Sequence, residues 1–123
     1  MKLRIVFLLS FVMIIEYQKQ KLEKQLSERK AFIKAKYPPA IFEDVQDTIA
    51  IIDAAPNLYD LSQIRSLEFH LLGGDRKETW AVSVTGKGRL ILKIPVDSSV
   101  LTSKEEYVKI EKICISELVN YHC

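Results

Sequence analysis

Apolar and polar positions alternate most clearly between residues 79 and 94. Trp80, Val82 and Val84 alternate with Ala81, Ser83 and Thr85. After Gly86-Lys87-Gly88, Leu90, Leu92 and Ile94 alternate with Arg89, Ile91 and Lys93. A period of two broken by a glycine-rich turn predicts a β-hairpin, with strands over 79–85 and 89–94. One face buries Trp80, Val82, Leu90 and Leu92. The other presents Arg89 and Lys93, and Arg76 and Lys77 follow a Gly73-Gly74-Asp75 turn at its entrance.

Upstream the period lengthens to that of a helix. Leu22, Leu26, Ile33 and Tyr37 predict a helix over residues 18–36, with lysines and glutamates on its other side. Pro38-Pro39 stops that helix and starts the next, because proline lacks the donor a helix interior needs but suits a first turn. Residues 40–54 continue with Phe42, Val45, Ile49 and Ile52 on one stripe and Glu43, Asp44 and Asp47 outward. The two helices are expected to form an antiparallel hairpin packed on a sheet. Residues 58–64 read as a short connector or single turn, 97–99 and 102–106 as a mobile polar loop, and 13–17 (MIIEY) and 109–119 as strands. A strand, two helices and three strands make an α+β domain, with helices on one face of a mostly antiparallel sheet.

Composition narrows the class without naming the chemistry. With 123 residues, 48% apolar and 28% charged, the chain makes one ordered domain. The net charge of +2 is too small to diagnose a nucleic-acid binder. Its distribution is uneven: residues 18–36 carry seven Lys/Arg against two Glu, 39–60 carry five carboxylates and no base, and 61–96 carry six Lys/Arg against three acids. Cys114 and Cys123 form no CxxC pair and have no histidine at ligand spacing. A reduced cytoplasmic protein with no metal site is therefore expected.

The first twelve residues read as an apolar leader or start-site extension. Lys2 and Arg4 precede an apolar run, as in a signal peptide, but Glu16-Tyr17-Gln18-Lys19 stands where a cleavage site would be. The run is also short of the ~20 apolar residues that cross a membrane. Met13 is the expected start, 13–123 the expected domain, and no membrane is expected as a partner.

Three groups carry chemistry that could work together: His70 before the turn, Arg76 and Arg89 on the hairpin, and Tyr121-His122 at the terminus. Imidazoles titrate near neutrality and suit acid/base transfer, while guanidiniums bind a phosphate and its developing charge. Lys77, Lys93 and Asn120 are candidates for substrate contact. Gly73-Gly74 is a turn and not a phosphate loop, because no GK[ST] follows.

The segment FHLLGGDRKETWAVSV, the strand GRLILKI, the terminal NYH, the start MIIEYQKQKLEKQL and the linker DAAPNLYDLSQI, in this order, resemble the HigB (plasmid-maintenance killer) branch of the RelE/ParE toxin superfamily. The resemblance spans Met13 to His122. It implies a RelE/ParE-like fold and a toxin of a type II toxin–antitoxin system, which enters the ribosomal decoding site and cuts translated mRNA without a cofactor or metal. The RNA's own 2′-hydroxyl would attack the adjacent phosphate. His70 and His122 would be acid and base, Tyr121 would hold or stack on the mRNA, and Arg76 and Arg89 would bind phosphate or stabilise the transition state. The implied partners are the ribosome, mRNA and a HigA-like helix-turn-helix antitoxin. Asn120 departs from the acid usual before Tyr-His, Gly73 from a lysine, Gly88 from an aromatic residue and Glu78 from a glycine. A ParE-like, non-enzymatic DNA gyrase inhibitor, or a catalytically dead homologue that binds only an antitoxin, is the alternative.

Overall fold

The computed structural model describes residues 13–73, 78–85 and 88–120, the Asn120 side chain excepted. Strand β1, Ile14–Tyr17, leads into helices α1, Gln20–Ser27, and α2, Arg29–Lys34. A 3-10 turn, Pro39–Ile41, then opens α3, Phe42–Ala54, and α4, Leu58–Ser62, follows. Strands β2, His70–Leu71, β3, Trp80–Thr85, and β4, Gly88–Lys93, precede helix α5, Lys104–Val108, and the last strand β5, Lys112–Asn120. The sheet runs in the order β1-β5-β4-β3-β2, antiparallel throughout except that β1 lies parallel to β5. The architecture is α+β, with the expected hairpin at its centre. Among the described residues, no helix is long and apolar enough to cross a membrane.

The expected hairpin pairs Trp80 with Leu92 and Val82 with Leu90 on the core face. Gly88 joins the strand instead of the turn. Leu22, Leu26, Phe32, Val45 and Ile52 come from the helices to meet this face, and Ile113, Ile115 and Leu118 from β5. On the far face, where the alternation placed Ile91 beside the exposed cations, Ile91 and Ala81 are buried. A central sheet face need not be wet where neighbouring strands are long and side chains crowd over it.

The single helix expected over 18–36 is two. Glu28 takes extended dihedrals, φ −119° and ψ 122°, and ends α1 while starting α2. Ser27 Oγ donates to the Glu23 carbonyl at 2.7 Å, a local bond that competes with helix continuation. The break rotates the apolar stripe by one residue. Phe32 is fully buried, while Ile33, expected in the stripe, is 45% exposed. The polar stretch expected to be a mobile loop is ordered as the 3-10 turn Ser98–Val100 and α5, with Tyr107 packed against the core. The connector is helix α4, capped by the Asn57 side chain accepting from Asp60 N–H at 3.0 Å.

Candidate functional site

Register fixes which side chains share the face turned away from the helices. His70 stands opposite Ala81, Ala81 opposite Ile91 and Ile91 opposite Glu117, so these four form one row across the sheet. In the next row Ser83 faces Arg89 and Arg89 faces Val119. On the other side of the His70 row, Lys93 faces Cys114 and Cys114 faces Glu16. The His70 row therefore runs between a guanidinium row and an ammonium row. Strand spacing puts the Cα of His70 roughly 12 Å from those of Arg89 and Lys93, within reach of two long side chains converging on one extended anion.

His70 is exposed on the two-residue edge strand β2. Its Nδ1 lies 2.8 Å from the Glu68 carbonyl oxygen, which can only accept, so the hydrogen of the neutral ring sits on Nδ1. Nε2 then presents its lone pair outward, and it has no protein partner among the described residues. Glu68, which supplies this carbonyl, has a left-handed backbone with φ 48°. The imidazole is thus oriented by a backbone turn.

Of the other predicted site residues, Arg89 is half-buried in β4 and engaged with protein, while Lys93 is exposed at the strand's end. The Asn120 backbone pairs with Gly88 at the end of β5. Arg76, Lys77, Tyr121 and His122 lie outside the described residues, as do residues 1–12 and Cys123. Burial, then Glu16, push the Cys114 thiol up, with Lys93 opposing, so it stays protonated at neutral pH and is a poor nucleophile.

Two of the positions noted in the sequence, Glu78 and Gly88, lie within the described residues and differ in what the backbone asks of them. Glu78 adopts φ 67°, the left-handed conformation that glycine takes without strain. Its carboxylate accepts from Ser98 N–H at 2.9 Å and from Ser98 Oγ–H at 2.6 Å. These bonds tie the start of β3 to the loop before α5. At Gly88 an added Cβ would meet Ile41 Cδ1 at 3.5 Å, ordinary contact, so no steric rule demands glycine there. Glu117, on the row of His70, is the side chain that the sequence reading missed. A bulge between Ile91 and Leu92 in the β4–β5 pairing shifts β5 by a residue and turns Glu117 away from the core face that Ile113 and Ile115 share.

No family model matches the chain, and no curated protein matches it. Among solved structures, a YoeB/ParE toxin from Agrobacterium tumefaciens is similar at probability 1.00, with a TM-score of 0.46 and 10% sequence identity over 90% of this chain and 100% of that one.

Proposed function

We propose that the chain is the toxin of a type II toxin–antitoxin pair, an endoribonuclease that cuts translated mRNA on the ribosome by acid/base chemistry. The observation that carries the reading is the His70 row: an exposed imidazole, its Nε2 without a protein partner among the described residues, at the edge of a sheet face between the rows of Arg89 and Lys93. RNA carries its own nucleophile, so the protein need only take a proton from the 2′-hydroxyl, return one to the leaving 5′-oxygen and stabilise the phosphorane between them. His70 and His122 are the two proton carriers in this scheme. Arg76 and Arg89 hold the phosphate, Tyr121 stacks on the RNA, and Lys77, Lys93 and Asn120 contact the strand. The motif resemblance described above supports the same assignment. A helix-turn-helix antitoxin is the proposed partner, the cytoplasm the proposed compartment, and Met13 the proposed start of the working domain.

The test maps 5′ ends of cellular mRNA after brief induction of residues 13–123. New ends within reading frames are expected, and His70→Ala should reduce them by about 10²–10⁴-fold, the usual contribution of a general base. Arg89→Ala should cut them by about 10²-fold through lost charge stabilisation. Growth arrest without new ends would overturn the nuclease assignment and favour a gyrase-type poison. A folded chain giving neither arrest nor new ends would leave an antitoxin-binding relic.

A further inference from the structure

Behind the edge strand, on the side of α4 and α5, lies a cavity of about 450 Å³ that the proposed chemistry does not use. That volume lies in the range of small-ligand sites. It suits one nucleotide unit and not a folded strand. Tyr59 and Tyr107 contribute rings to its walls, and the indole of Trp80, the chain's single tryptophan, also lines it.

The polar groups of this cavity divide into used and unused. Ser98 is held by Glu78, and Ser62 Oγ donates to the Tyr59 carbonyl at 2.6 Å. Among the described residues, the phenols of Tyr59 and Tyr107 and the hydroxyls of Thr102 and Ser103 have no protein partner. Lys104 Nζ lies 4.8 Å above the Tyr59 ring and makes no ion pair among the described residues. Among the described residues, no carboxylate lines the cavity.

Rings, unspent hydroxyl groups and one cation, with no acid, are complementary to a planar base, a ribose and a single phosphate. We propose that this cavity binds a nucleoside monophosphate unit, with the base against Tyr59 and Tyr107 and the phosphate on Lys104. Among the described residues of the lining, an acidic peptide would find a single Lys or Arg and a surplus of ring surface, so the lining favours the nucleotide. The unit could be a free mononucleotide or the unpaired end of an RNA strand, since both present the same chemistry. His70, on the edge strand, also borders the cavity. The site does not depend on RNA cleavage, and a chain without nuclease activity would still bind.

Trp80 fluorescence supplies the readout, because the chain's single indole lines the cavity. The full chain is titrated with AMP, with adenosine, with inorganic phosphate and with a short 2′-O-methyl oligonucleotide carrying a terminal phosphate. Saturable change with AMP or the oligonucleotide is expected, and whichever binds tighter identifies the source. Lys104→Ala, an exposed change, should weaken binding of AMP about tenfold and of adenosine less than about twofold, as loss of a charge-assisted contact predicts. Tyr59→Ala should weaken AMP and adenosine together by about tenfold, the usual worth of one stacked base. The proposal is overturned if neither phosphate-bearing probe saturates. It also fails if binding survives both substitutions unchanged while circular dichroism shows them folded.

Discussion

At the scale of single residues, Glu78 shows two opposing contributions at one position. Its left-handed backbone costs about 1 kcal/mol relative to glycine, while its two hydrogen bonds to Ser98 hold the loop before α5. Glu78→Ala keeps the strain and loses the bonds, so it should destabilise by about 1–2 kcal/mol. Glu78→Gly loses the same bonds and relieves the strain, so it should be more stable than the alanine variant by about 1 kcal/mol. Urea denaturation of the three proteins checks the order, and an alanine variant equal to glycine would refute the strain.

Two phenols give the molecule a pH dependence of definite sign. Burial raises Tyr17 above the usual 10.0, with Glu23 and Asp53 adding to it. Burial also raises Tyr37 above the usual 10.0, with Glu117 adding to it. Folded phenols then keep protons that unfolded ones release, so their contribution is complete below pH 10 and is lost as pH rises through the folded values. Stability should fall from pH 9 to pH 11. Tyr37→Phe should make that fall shallower, as should Glu117→Gln to a lesser degree. Denaturation midpoints at the two pH values decide it, and a Tyr37→Phe protein with the parent's slope would contradict the assignment.

At the scale of elements, the break between α1 and α2 follows from what the helices touch next. A continuous helix would deliver Ile33 to the core; the broken one delivers Phe32 instead. The Phe32 ring packs 5.1 Å from Tyr37 and, edge-on, 5.0 Å from Phe42. Arg29 lies 4.8 Å from the Phe42 ring and 2.7 Å from the Glu43 carboxylate, binding α2 to the start of α3. An aromatic cluster of this kind outweighs a few tenths of a kcal/mol per residue of helix propensity. Phe32→Ala should cost about 3–5 kcal/mol and Ile33→Ala no more than about 0.5 kcal/mol. Similar losses from both, measured by thermal or urea unfolding, would mean that the helix runs through. Periodicity found both helical regions because each stripe is strong. It missed the break because only the tertiary cluster decides the phase.

At the scale of the whole molecule, what was legible in the sequence separates by distance along the chain. The β3–β4 hairpin is local, and its alternation and glycines announce it. The pairing of β1 with β5 joins Ile14 to Lys112 and Tyr17 to Ile115, and no local pattern encodes it. The candidate site divides the same way. Arg89 and Lys93 were legible as sharing a face, but His70 joins it only through register, and Glu117 reached it through a bulge. This topology also ranks the strands. β5 is paired on both sides and carries fully buried Ile113 and Ile115, whereas β2 is a two-residue edge whose Leu71 is 50% exposed. Amides bonded between β4 and β5 should therefore exchange with solvent only on global unfolding, and those of β2 by local opening. Ile115→Ala should cost about 2–5 kcal/mol and speed exchange throughout the sheet, while Leu71→Ala should stay within about 0.5 kcal/mol and affect β2 alone. Hydrogen exchange followed by NMR separates the two. If β2 proved as protected as β5, the edge would be covered in solution, and the exposure of His70 would have to be reconsidered.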